Sequence, residues 1–260
     1  MLPEFISLVR ANNPGVMTLE GTNSYVIKTL QGCLVIDPGP MDELHLSALQ
    51  QATDEKVSAT LLTHDHPDHA EGAIEFANRV NSALFAVNSE YVINGGEPLR
   101  DGFEFSDALV SLKTIATPGH TSDSVSFLAT SDLALPALFT GDTILGSGTS
   151  VVAYPDGSVG DYLNSLELLI DLVAENDSEV LLLPGHGPLH PSASPIMEYY
   201  REHRLERVMQ MREVLAKGIT DIDEIVDAIY PDLPAALRFA AVMSAKAAYA
   251  YVQSSNLNPK

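Results

Sequence analysis

The chain has 260 residues, 45% of them hydrophobic, and 35 Asp and Glu against 14 Lys and Arg, for a formal net charge of −21. This length suffices to bury a sizeable core, and no apolar run approaches the roughly 18 residues that cross a bilayer, so no membrane association is expected. The acidic excess counts against a broad nucleic-acid surface, because such surfaces depend on Lys and Arg to neutralise phosphates.

In chain order, residues 1–15 lack the basic start and apolar run of a secretion signal, and the expected location is the cytoplasm. Strands are expected at 5–9, 24–28 and 32–36. The third carries Cys33, the single cysteine, which excludes an internal disulfide and reads as an inert buried thiol. It ends in Asp37-Pro38-Gly39 and is followed by a helix at 42–52. The next apolar run, 59–62, leads into Thr63-His64-Asp65-His66-Pro67-Asp68-His69. Three imidazoles and two carboxylates in seven residues point to a metal, because both are ligand types that suit zinc.

A helix is expected at 70–81 and strands at 84–87, 109–115, 124–128, 137–139 and 180–183, with a helix at 162–175 between the last two. Three of these strands run into further donors: Pro118-Gly119-His120, Gly141-Asp142 and Pro184-Gly185-His186. Short apolar runs bounded by Gly and Pro read as strands ending in turns, and converging strand ends are where sheet proteins commonly build sites. A boundary falls at 191–195. Beyond it the sequence reads as helices: one with Ser194 as N-cap and Pro195 in first position, stopped by Gly218, then 221–230 and an alanine-rich 234–252. Charge divides at the same place. Residues 1–190 hold 26 acidic against 6 basic side chains, whereas residues 191–260 hold 9 against 8.

The set His64, His66, Asp68, His69, His120, Asp142 and His186 resembles the complete ligand set of the metallo-β-lactamase superfamily, with Asp37 matching its first motif. The stretches Gly21-Thr22-Asn23-Ser24-Tyr25, Gly141-Asp142-Thr143-Ile144-Leu145-Gly146 with Gly148-Thr149, Pro184-Gly185-His186-Gly187-Pro188, and 200–204 are similar to its β-lactamase-like-protein-2 group. The resemblance covers nearly the whole chain. It implies an α+β fold, a four-layer αββα sandwich with the metals at one edge, formed by a catalytic domain over residues 1–192. A small winged-helix-like helical region would follow over 193–260. No basic recognition helix is visible there, so this tail reads as a structural lid or a homodimer surface.

The resemblance further implies two zinc ions per chain, although the same donors accept iron or manganese. His64, His66 and His120 would hold one ion, Asp68, His69 and His186 the other, and Asp142 would bridge. Two ions about 3.5 to 4 Å apart share a hydroxide nucleophile, which makes Asp68 and Asp142 catalytic as well as ligating. Asp37, Asp65, Thr63 and Thr121 are expected to accept ring N–H bonds or brace the loops. Asn23, Tyr25, Gly146 and Thr149 are expected to line the substrate cleft, and His45, His190 and His203 to be surface or structural. The expected activity is hydrolysis of an ester, thioester or related acyl bond of a small molecule. The alternatives are a metal-dependent endoribonuclease on single-stranded RNA and a one-iron oxygenase. Asp142 replaces the cysteine ligand of the best-known antibiotic-hydrolysing relatives, which argues against that substrate. Ser124 stands where many relatives carry a further histidine, and His66 differs from the acidic residue of flavodiiron relatives.

Overall fold

The computed structural model describes residues 2–54 and 56–257. Two five-stranded mixed sheets stack face to face. The first runs in the order β1 (Ile6–Arg10), β2 (Asn23–Thr29), β3 (Gly32–Ile36), β4 (Val57–Leu61) and β5 (Ala83–Phe85), with β3, β4 and β5 parallel. The second consists of β6 (Glu104–Ser106), β7 (Ser111–Ala116), β8 (Val125–Ser131), β9 (Ala134–Gly141) and β10 (Leu181–Pro184), antiparallel except for the β9–β10 pair.

Successive side chains of a strand point to opposite faces, and this alternation separates the layers. Tyr25, Ile27, Leu34, Ile36, Phe127, Phe139, Leu181 and Leu183 meet between the sheets. Their neighbours Val26 and Val35 face outward onto Leu46 and Leu49 of α1 (Glu43–Ala52) and Phe76 of α3 (Ala73–Arg79). On the far side, Leu128, Leu138 and Leu182 pack against Tyr162, Leu166 and Leu169 of α4 (Val159–Ala174). Buried on both faces, these strands read as continuous apolar runs. The result is the expected αββα sandwich.

The expected helix over 70–81 is divided. A single turn, α2 (Pro67–Ala70), precedes α3, and Gly72 between them passes so close to the 37–40 loop that a Cβ would lie 2.8 Å from Pro40 O. The tail comprises α5 (Ser194–Ala216), α6 (Ile222–Ile229) and α7 (Arg238–Leu257), with no strand among its described residues. Helix α5 begins one residue earlier than expected. Ala193 occupies the cap position in helical geometry, so Ser194 is its first residue rather than its N-cap. Helix α6 starts one residue later than expected, because Asp221 caps it and accepts from the N–H groups of Asp223 and Glu224. No described helix is long and apolar enough to cross a membrane.

Met197, Tyr200, Val208 and Met211 of α5 share one core with α4 and the second sheet, so the core is continuous across residue 192. Tyr200 is central to it. Its buried hydroxyl accepts from Leu145 N at 2.9 Å and donates to Leu145 O at 3.3 Å. Removing a hydroxyl that satisfies buried backbone groups costs about 1–3 kcal/mol. Tyr200→Phe is therefore expected to lower the unfolding free energy by that amount, read as a lower urea midpoint at unchanged slope; an unchanged midpoint would show that the 145 loop does not depend on the tail.

Candidate metal centre

Strand direction gathers the polar residues at one edge. Strands β7, β9 and β10 run in the same direction, as do β3 and β4, so their C-terminal ends carry His120, Asp142, His186, Asp37 and the 63–69 loop together. Backbone hydrogen bonds lock these ends to one another: Val125 N to Thr63 O at 2.8 Å, Gly185 N to Gly141 O at 2.8 Å, and Asn23 N to Gly185 O at 2.7 Å. Gly185 lies against the site itself. A Cβ there would sit 2.6 Å from His69 Cε1 and 2.7 Å from Asp142 Oδ1.

Three groups emerge whose donor atoms lie within 4.8 Å of one another: His64, His66 and His120; His64, His69 and Asp142; Asp68, His69 and His186. In the first group, His66 Nδ1 is 3.2 Å from His64 Nε2 and 3.1 Å from His120 Nε2. In the third, His69 Nε2 is 3.1 Å from His186 Nε2, and Asp68 Oδ2 is 3.0 Å from His186 Nε2. Asp142 lies between the groups. Its Oδ1 is 3.4 and 3.5 Å from His69 and His186 Nε2, and its Oδ2 is 3.8 Å from His120 Nε2.

The outer ring nitrogens decide what this packing means. His69 Nδ1 donates to Asp37 Oδ2 at 2.8 Å, His120 Nδ1 to Val151 O at 2.6 Å and His186 Nδ1 to Gly21 O at 3.2 Å. Thr63 Oγ1 gives its proton to Asp37 Oδ2 and so accepts from His64 Nδ1 at 3.0 Å. Acceptors on Nδ1 place the lone pair of a neutral imidazole on Nε2. Four Nε2 lone pairs thus converge on one another and on two carboxylates, and the buried Asp142 Oδ1 has no hydrogen-bond partner. Lone pairs this close repel unless a cation lies among them. Donors bound tetrahedrally at 2.0–2.1 Å stand about 3.3 Å apart, close to the separations found, and all are nitrogen or oxygen. The residues fit a metal centre.

The titrating groups carry the same imprint. Burial and the neighbouring imidazoles His69 and His120 hold His64 well below the ordinary 6.5, and burial takes His120 down to about 4, so both favour the neutral, ligating form. Burial opposes charge on His69 too, but Asp142, Asp37 and Asp68 together raise it well above 6.5. His186 is raised by Asp142 and Asp68 against the same opposition. Asp142 remains ionised despite burial because His186, His69 and His120 surround it. Without metal, the carboxylates retain protons on His69 and His186, which an incoming cation must displace. Zinc binding is expected to release protons and tighten as pH rises, as checked by calorimetry in buffers of different ionisation enthalpy; pH-independent binding would contradict this. The sign for metal-free stability is the opposite. The contribution of His69 and His186 is fully present below pH 6.5 and is lost as pH rises through their raised values.

The other expected site residues divide by burial. Asp37 is 1% exposed and accepts from Thr63 N at 2.8 Å as well as from His69 and Thr63 Oγ1, so both residues support the ligands. Asp65 braces the 87–91 loop through Asn88 Nδ2 at 2.9 Å. Thr121 bonds Asp123 and Ser124 and holds only its own turn. Asn23 and Tyr25 do not line a cleft. They are 0% and 2% exposed and clamp the His186 turn instead, Asn23 Nδ2 reaching Pro184 O and Gly187 O and Tyr25 Oη reaching Pro184 O. Gly146 is also buried, pinned between His186 O and the His190 ring, while Thr149 faces a cavity. His45 is buried against Ser24 Oγ and therefore structural. The supports missed in the sequence are Val151 O, Gly21 O and Ser150 Oγ, the last reaching Asp142 O. Two of these are backbone carbonyls, which no side-chain motif announces.

Residues 17–186 match the family model described as the Metallo-beta-lactamase superfamily. The chain is 32% identical over 257 residues to the Beta-lactamase-like protein 2 homolog of Caenorhabditis elegans, covering 94% of this chain and 83% of that protein. It is 28% identical to an atrochrysone carboxyl ACP thioesterase of Aspergillus chevalieri, covering 87% and 73%. Among solved structures, a metallo-beta-lactamase family protein from Thermus thermophilus superposes with a TM-score of 0.78 at 19% identity, covering 98% of this chain and 95% of that one.

Proposed function

The chain belongs to the metallo-β-lactamase superfamily and is a metal-dependent hydrolase, and on that premise we propose that it uses two zinc ions to cleave an ester, thioester or related acyl bond of a small molecule. The observation that carries this reading is the convergence of His69 Nε2, His186 Nε2 and the unpartnered Asp142 Oδ1 beside a separate three-imidazole group. His64, His66 and His120 would hold one ion and Asp68, His69 and His186 the other, with Asp142 shared. When bound, zinc supplies a water acidified towards neutral pKa and polarises a carbonyl.

The chain's own residues then have distinct tasks. Asp37, Val151 O and Gly21 O hold the rings of His69, His120 and His186 in one tautomer, so no reorganisation is required during reaction. Asp68 is the more exposed carboxylate, at 27% against 12% for Asp142. Its Oδ2 faces His186, which leaves Oδ1 as the atom that takes up a proton from the attacking water and passes it to the leaving group. The fungal relative named as an acyl carrier protein thioesterase supports an acyl substrate. The acidic body, 26 acidic against 6 basic residues over 1–190, weighs against RNA.

The test is metal-stripped protein restored with zinc and assayed against ester and thioester panels and against single-stranded RNA at low salt. Zinc-dependent acyl hydrolysis without RNA cleavage is expected; RNA cleavage with every acyl substrate untouched would contradict the reading.

A further inference from the structure

The loop after Asp142, the helical tail and residues 16–19 line a half-open cavity of about 340 Å³, within the range of small-molecule sites. It shares a wall with the metal centre, because its lining residues Ser150 and Val151 also contact Asp142 O and His120 Nδ1. Much of the remaining lining is apolar, contributed by Val16, Met17, Leu145, Leu233, Leu237 and Ala241.

The charged part of the wall consists of Arg204 and Arg207, on one face of α5, among uncharged polar neighbours that include Ser147, Thr149 and Ser244. Arg204 is 3% exposed, donates Nη2 to Ser150 O at 2.7 Å and lies over the Tyr162 ring, yet its Nε is buried without a partner. Arg207 is held by Nε to His203 at 3.3 Å, by Nη1 to Gln210 at 2.6 Å and by the face of Tyr230, and among the described residues its Nη2 meets no hydrogen-bond partner. Burial and the two arginines take His203 down to about 4, so it is a neutral acceptor and adds no charge. Among the described residues, neither Arg204 nor Arg207 forms an ion pair, whereas Arg79, Arg201 and Arg238 all do. A largely desolvated, uncompensated guanidinium is costly. Arg204 is of this kind, and the part-buried Arg207 lines the same cavity, so the pair presents positive charge without an ion-pair partner there in a chain with 35 acidic residues.

We propose that this cavity receives the part of the substrate leading away from the scissile bond, and that this part is an apolar, aliphatic or aromatic body bearing one carboxylate seated on Arg207 and Arg204. The assignment of the occupant as substrate rests on the hydrolase reading; the binding itself does not. The two arginines set the charge at a single acid, because the net −21 of the chain repels a polyanion.

The experiment compares 2-naphthoate with its neutral analogue 2-naphthamide by calorimetry on the zinc-loaded full chain, without turnover. One equivalent of naphthoate is expected to bind, about tenfold or more tighter than the amide, the preference a charge-assisted bond supports. Arg207→Gln should remove most of this preference by weakening the carboxylate alone, Arg207→Lys should retain part of it, and Ala241→Leu should weaken both probes by filling the cavity. The proposal is overturned if neither probe binds, if the two bind alike, or if the preference survives in Arg207→Gln, as it would for a carboxylate resting on the metals. A chain that hydrolyses no acyl substrate yet shows this pattern would remove the acyl-hydrolase reading and leave the anion site standing.

Discussion

Asp142→Asn is expected to leave a folded chain that no longer holds two metals and has lost hydrolysis by on the order of 10³-fold or more, equivalent to about 4 kcal/mol of transition-state stabilisation. Asp142 is the carboxylate that approaches both histidine groups, with Oδ1 3.4 Å from His69 Nε2 and Oδ2 3.8 Å from His120 Nε2. An amide at this position is nearly isosteric but brings no charge, and it turns an N–H₂ towards nitrogens whose lone pairs already face inward. The loss should therefore appear in metal content as well as in rate. In the metal-free protein, His69 should release its proton at lower pH, because burial opposes its charge and Asp142 is the strongest of the groups that sustain it. Elemental analysis with kcat/KM on a reactive ester checks the prediction; two retained zincs and an unchanged rate would contradict it.

The second large effect is expected at Asp37, which contacts no substrate. It is buried, has φ +50°, and accepts three hydrogen bonds: from Thr63 N, Thr63 Oγ1 and His69 Nδ1. Asp37→Ala leaves those donors buried without acceptors and places a less tolerant residue in the left-handed region. It should cost roughly 3–5 kcal/mol, as breaking a buried charged network does. Asp37→Asn separates the two functions. Asn tolerates this backbone geometry and can keep the Thr63 N–H bond, but it cannot accept all three. Metal affinity should fall about 10- to 100-fold, the usual effect of removing a partner that orients a ligating histidine, with a much smaller loss of stability. Urea denaturation and competition against a zinc chelator check the pair. Equal affinity in Asp37→Asn would show that the His69 tautomer is fixed by some other contact.

Much of the site is legible because each candidate ligand directly follows an apolar run, so its place at a strand end can be read before the sheet order is known. The number of layers is not legible from periodicity. Strands such as β2 and β10 are buried on both faces, and Tyr25-Val26-Ile27 and Leu181-Leu182-Leu183 show no polar alternation from which the facing side could be read. The short β6, Glu104-Phe105-Ser106, escapes sequence reading because two of its three residues are exposed and polar. A family-like motif points Asn23 and Tyr25 at the cleft, yet being near a site in sequence does not determine which way a side chain points. Here they face Pro184. The family-like stretch 200–204 contains Arg204 but does not say what that side chain meets. Its bond to Ser150, 54 positions away, exists only because α5 packs against α4 and the loop after Asp142.

The proposed chemistry depends on seven side chains holding two ions. Titrating metal-stripped protein with zinc and counting the bound metal by native mass spectrometry tests this directly. Saturation at two zincs per chain is expected, falling to one in His186→Ala, which removes a ligand from the Asp68 and His69 group without touching the three-imidazole group. Saturation of the intact chain at a single ion, or retention of both in His186→Ala, would contradict it.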